Sequence, residues 1–175
     1  MRRLFLCMIL VSWYTLLKAQ YEGMEYYQEK DPAVKVKLEQ WQDLKFGFFV
    51  HWGPYSQKGY CESWTICTED VDWIQRDTII SYDEYYRNYV NLKKTFNPVK
   101  FNPEYWADLA KEAGMKYFVF TTKHHDGFCM WDTKETDYKI TSSECPYHTA
   151  PNPDILKELF GAFQKRDFMI GAYFS

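Results

Sequence analysis

The chain has 175 residues, 46% of them hydrophobic, 20% aromatic and 26% charged, with a formal net charge of -3. That length leaves no room for two ordinary domains, and the apolar share excludes a disordered chain. A mean hydropathy of -0.52 argues against a polytopic membrane protein, and an acidic balance with scattered Lys and Arg excludes a nucleic-acid partner.

The 7 Trp, 15 Tyr and 13 Phe are more rings than a small core usually needs. Two readings stand side by side: flat faces stacking on a ligand, sugar or base, or an aromatic-rich core.

Arg2 and Arg3, a mostly apolar run over 4–17, and Leu17-Lys18-Ala19 before Gln20 have the pattern of a secretory signal peptide over residues 1–19. The run is shorter than the roughly 20 residues of a membrane span, so no stable membrane insertion is expected. Cys7 lies inside it, not at its end, which disfavours a lipoprotein anchor. The product is then exported, to the periplasm, the extracellular medium or a lumen. It is also more acidic, because Arg2, Arg3 and Lys18 leave with the signal and no acid does.

Residues 21–35 are polar and read as a lead-in. A short helix is expected over 36–44, with Leu38, Trp41 and Leu44 on one face. The apolar run 46–50 reads as a strand that ends in the turn His51-Trp52-Gly53-Pro54. Residues 55–78 read as an irregular loop with one helical turn at 72–74. Helices are expected over 82–92 and over 104–112, the second opened by Pro103 and closed by Gly114. A second strand over 117–122 runs into Lys123-His124-His125-Asp126-Gly127. A proline-marked loop follows, then an amphipathic helix over 154–166 and a third strand over 168–174.

Buried strands alternating with helices predict a parallel α/β sheet, whose sites form at the carboxyl ends of strands. Three strands cannot close a (β/α)8 barrel of about 250 residues. The expectation is therefore the N-terminal piece of a longer protein. A complete three-stranded domain is the alternative.

His51 follows the first strand directly and can donate to or accept from a hydroxyl, or satisfy loop backbone. His124 and His125 are neighbours, so both face one ligand only if the strand ends or bulges there. Glu62 and Trp64, in Cys61-Glu62-Ser63-Trp64, suit a sugar: the acid takes hydroxyls and the ring covers an apolar face. A solvated loop acid is the plain alternative. Trp131 is either another wall or simply buried. Asp126 has no recognisable partner. Adjacent histidines without a third ligand do not make a metal site, and no cofactor motif or serine elbow occurs. Glycoside hydrolysis needs two flanking carboxylates, and no convincing pair lies within the chain. After export four cysteines remain, Cys61, Cys67, Cys129 and Cys145, which allow three pairings. Cys61 and Cys67 are near enough to bridge a loop, and free thiols are the other option.

The stretch Lys45-Phe46-Gly47-Phe48-Phe49-Val50-His51-Trp52-Gly53, with Tyr55-Ser56, resembles the first-strand motif of the family 29 glycoside hydrolases, the α-L-fucosidases. Thr121-Thr122-Lys123-His124-His125-Asp126-Gly127-Phe128 resembles their second signature, and Gly171-Ala172-Tyr173-Phe174-Ser175 the strand that follows. The resemblance implies the N-terminal portion of an irregular (β/α)8 TIM-like barrel, truncated after about three strands, over residues 20–175. It implies an exo-acting retaining hydrolase of fucosylated glycans that needs no metal and no cofactor. By resemblance His51, His124 and His125 contact fucose hydroxyls, Glu62 and Trp64 join them, and Tyr173 lies near the sugar. Many members have the acid and the Trp adjacent, whereas Ser63 separates them here. The family's nucleophile and acid/base lie on later strands, so the resemblance assigns no catalytic residue to this chain. A non-catalytic, lectin-like sugar-binding protein derived from the same barrel is the alternative function.

Overall fold

The computed structural model describes residues 29–68, 74, 76 and 79–175. The signal segment 1–19, the stretch 21–28 and most of the turn expected at 72–74 lie outside the described residues. The chain divides into two compact units, residues 1–39 and 40–175. A helix, α1 (Pro32–Leu44), runs across that boundary. It starts earlier than the expected 36. Asp31 Oδ1 accepts from Ala33 N at 2.8 Å and Pro32 takes the first helical position, a combination that opens helices. No residue of α1 is buried, so the stripe of Leu38, Trp41 and Leu44 is not a core face. Trp41 makes one edge contact, its ring 5.6 Å from that of Tyr117.

The second unit holds three parallel strands in the order β1 (Gly47–Val50), β2 (Tyr117–Lys123) and β3 (Met169–Phe174). Phe48 pairs with Phe118, and Phe118 with Ile170. The helices between them are α2 (Tyr82–Val90), α3 (Pro103–Glu112) and α4 (Ile155–Gln164). Each has an N-cap side chain that accepts an otherwise orphaned amide: Ser81 from Glu84 N, Asn102 from Tyr105 N and Asp154 from Lys157 N. Gly114, at φ +82, turns the chain out of α3. The sequence placed all three within two residues at each end.

Strand alternation sorts the side chains. Phe118 and Phe120 of β2 are fully buried beneath α3 and α4, with Phe48, Val50 and Ile170 packed against the same cluster. The Phe118 and Phe163 rings stack 3.8 Å apart at 11°. Ala107 and Ala110 of α3 let that helix approach, and Ile155, Leu159 and Ala162 of α4 complete the layer. Burying each large apolar side chain contributes about 1.5–3 kcal/mol. On the opposite face Phe49 and Tyr173 are exposed, so among the described residues only one face of the sheet is covered. Phe46, just before β1, is also exposed.

The long connection from β2 to α4 is packed, not loose. Phe128, Met130, Ile140, Cys145 and Tyr147 along it are buried in the main cluster. Short 3-10 turns lie at Pro54–Lys58, Trp64–Ile66, Asn91–Lys94 and Pro146–Thr149. All four cysteines of the second unit are free: Cys61 is exposed, Cys67 half-buried, and Cys129 and Cys145 buried. The loop-bridging pair Cys61–Cys67 is therefore absent.

Candidate functional site

The residues singled out in the sequence gather at the carboxyl ends of the three strands. β1 delivers His51. Its Nδ1 lies 3.1 Å from Thr121 Oγ1, on the neighbouring strand, and 3.8 Å from Glu62 Oε1. The His51 ring lies 4.7 Å from that of Phe49 and 5.8 Å from that of Tyr173 at the end of β3. Glu62 reaches His51 from the loop after β1 with a backbone φ of +42. That left-handed conformation disfavours a side chain by about 1–2 kcal/mol, so the surrounding loop holds it there. Its other oxygen, Oε2, lies 3.1 Å from the Cys61 thiol and holds that thiol's pKa above the usual range.

Adjacent histidines can share a site where a strand stops or slips, and β2 does both. It ends at Lys123, and its pairing with β3 shifts register between Thr121 and Lys123. His124 and His125 then leave at a centroid spacing of 4.7 Å, edge to face. His124 is buried, at 5% exposure, and its Nδ1 lies 2.6 Å from Ser63 Oγ. Its ring lies 5.8 Å from that of His51 and 6.0 Å from that of Trp64. Burial first, and then the nearby charge of His125, push its pKa down to about 4. His124 is thus a neutral imidazole at pH 7. His125 is exposed, packs 5.2 Å from the Trp64 ring and sits 3.0 Å from Ser175 Oγ through Nε2.

The structure brings His51, Glu62, Trp64, His124, His125 and Tyr173 into one wall. Trp52 packs with Phe96, Phe101 and Trp106 in the core, whereas its neighbour His51 joins the wall. Trp131 packs 6.2 Å from Phe174.

Asp126 does have a partner. Tyr89, on α2, donates to its Oδ2 at 2.9 Å, and Phe128 N donates to Oδ1 at 3.1 Å. Burial raises the carboxyl pKa and those donors oppose the rise. Gly127, at φ +85, donates to the His124 carbonyl and closes the turn. Asp126 therefore anchors the turn that presents the histidines. Ser63, Thr121 and Tyr89 are the residues that sequence reasoning missed, and each acts across a separation without a local signal.

Among the described residues no group of three or more His, Cys, Asp or Glu is arranged to hold a metal ion. Two cavities lie outside the wall. One of about 390 Å³ is lined by Phe48, Tyr105, Trp106 and Leu109, and one of about 430 Å³ by Tyr60, Tyr85 and Asn88. Neither contains a histidine. What the wall itself offers is three imidazoles and one carboxylate for hydroxyl groups, with indole and phenyl faces beside them. That set suits a neutral polyhydroxylated ligand.

A family model described as alpha-L-fucosidase matches residues 15–175. The bovine tissue alpha-L-fucosidase is 34% identical over 146 residues, covering 79% of this chain and 29% of that protein. An alpha-L-fucosidase crystal structure from Bacteroides thetaiotaomicron is similar at a TM-score of 0.61 and 30% identity, over 88% of this chain and 32% of that one. One from Lactobacillus casei, in complex with its alpha-L-fucose product, is similar at a TM-score of 0.58 and 35% identity, over 79% and 39%. The chain spans about a third of the length of the curated relatives it matches.

Proposed function

The chain belongs to the alpha-L-fucosidase family, and from that premise we propose that it supplies the fucose-binding wall of an exo-acting, retaining α-L-fucosidase. Residues 20–175 are then the N-terminal part of an irregular (β/α)8 catalytic barrel, and residues 1–19 the signal peptide that exports it. Among the described residues no helix is long and apolar enough to cross a membrane. The ligand is the terminal fucose of a glycan or glycoconjugate.

The observation that carries this reading is the meeting of His51, His124 and His125 with the Trp64 indole beyond parallel strand ends. Such ends are where α/β folds bind their ligands. A pyranose has hydroxyls around its rim and an apolar patch of C–H groups. Imidazoles exchange hydrogen bonds with the first, and an indole face covers the second.

Retention requires one carboxylate to attack the anomeric carbon while another acid protonates the leaving oxygen. Water then reverses the step through that same acid. We assign neither role within residues 1–175. Glu62 is engaged by His51 and Cys61, and Asp126 by Tyr89 and backbone. The wall's part is to hold fucose hydroxyls while carboxylates on later strands do the chemistry.

Two assays test this. The 175-residue chain should show no turnover of an aryl α-L-fucoside; turnover abolished by His51→Ala would overturn the division of labour. In the enzyme read from the reading frame continuing past Ser175, His51→Ala or His125→Ala should weaken transition-state stabilisation, read from kcat/KM, by roughly 1–3 kcal/mol, the cost of lost hydrogen bonds to the sugar. A stop codon at that point would favour the non-catalytic sugar-binding reading.

A further inference from the structure

We propose that Ser63 is a positioning residue for His124, whose hydroxyl fixes the imidazole tautomer so that Nε2–H is presented as a hydrogen-bond donor to the sugar. The inference rests on the fucose-binding reading of this wall.

Ser63 is 2% exposed and His124 5% exposed. Their contact, Ser63 Oγ to His124 Nδ1 at 2.6 Å, joins residues 61 apart in the chain. Among the described residues His124 Nδ1 is the one side-chain partner of Ser63 Oγ. That exclusivity decides the proton's place. If Nδ1 carried the proton and donated to Oγ, the serine's own O–H would be a buried donor without an acceptor. An orphaned buried donor costs about 1–3 kcal/mol. If Ser63 donates to Nδ1 instead, both atoms are satisfied and the imidazole proton sits on Nε2.

Nε2 is left available. It has no protein partner among the described residues, where the fully buried side-chain polar atoms without one are Tyr55 Oη, Thr65 Oγ1, Tyr85 Oη and Tyr138 Oη. Nε2 is therefore reachable from outside. The ring cannot swing to present another atom. It is wedged edge-on among His51, Tyr55, Trp64 and His125, at centroid distances of 4.7–6.2 Å. Ser63 also precedes Trp64 directly and ends the loop that carries Glu62. One short segment thus supplies the acid, the stacking ring and the tautomer lock.

The test is long-range nitrogen–proton correlation on the uniformly labelled full chain, with L-fucose as the probe. Wild type should show His124 in a single tautomer, unprotonated at Nδ1 and protonated at Nε2. Ser63→Ala should leave the His51, His125 and His148 patterns in place, give His124 a mixture of tautomers, and weaken L-fucose binding about three- to tenfold. Ser63→Thr, which keeps the hydroxyl, should restore the single tautomer. A wild-type proton on Nδ1, or a Ser63→Ala chain with unchanged tautomer and affinity, would overturn the proposal. If Ser63→Ala mixes the tautomers but L-fucose perturbs no histidine even in wild type, the fucose reading fails and takes the sugar-donor role of Nε2 with it.

Discussion

On the helix side of the sheet, Phe118, Phe163 and Phe120 lie nearly parallel, with Phe118 and Phe163 3.8 Å apart and fully buried. At the carboxyl ends of the same strands, His51, His124, His125 and Trp64 meet edge to face at 4.7–6.0 Å. Both regions are aromatic, but they use their rings differently. The first gains from area removed from water and close dispersion contact. In the second, ring nitrogens are oriented by Ser63, Thr121 and Ser175. The high aromatic content thus divides between a core that stabilises and a rim that, on the proposed reading, binds fucose. Changes in the first should be read in stability and changes in the second in binding.

Several experiments break or sharpen that division. Phe118→Ala should have the largest effect, lowering unfolding free energy by about 3–5 kcal/mol in a denaturant titration, as expected for a truncated core ring. A loss below about 1 kcal/mol would mean that the helix side is not the core.

Acid should act through the rim. The His124 pKa is lowered by burial from 6.5 to about 4, so the unfolded chain binds a proton that the folded one resists. Its stabilisation is whole above about pH 6.5, falls as pH drops towards 4, and is lost below that. The change is at most about 3 kcal/mol. Replacing His124 with Phe should flatten this part of the pH–stability profile, and an unchanged slope would place the titration elsewhere.

Tyr89→Phe removes a donor from half-buried Asp126 and should cost about 1–3 kcal/mol. Because Asp126 anchors the histidine turn, this variant should also broaden the His125 resonances. Sharp, unshifted signals would detach the turn from α2. The smallest effect belongs to reductant. With all four described cysteines free, dithiothreitol should change the unfolding free energy by no more than about 0.5 kcal/mol, whereas breaking a bridge would cost about 2–5 kcal/mol.

Much of the fold was legible because its signals are local. The apolar runs around Phe48, Phe118 and Ile170 and the capping residues Asn102 and Asp154 each act within a few positions. The exception is α1. There the stripe of Leu38, Trp41 and Leu44 on one face is left without a core to pack into, while the Asp31-Pro32 start was passed over. In the site, His51, His124 and His125 were visible by standing where strands end. Their supports were not. Thr121 lies 70 residues from His51, Ser63 lies 61 from His124, and Tyr89 lies 37 from Asp126. Strand register brings Thr121 to His51, and the packing of the loop after β1 and of α2 against the strand ends brings the other two pairs together. Trp52, one step on from His51, joins the core because successive residues of an extended chain fall on opposite sides.

The most direct test of the central claim is a histidine-resolved titration of the chain with L-fucose. Its four histidines divide naturally. His51, His124 and His125 stand in the wall, while His148 is paired with the Cys145 carbonyl in the Pro146–Thr149 turn. The account predicts saturable shifts at the first three and none at His148. Unmoved wall histidines at millimolar L-fucose, or an equal response from His148, would contradict it.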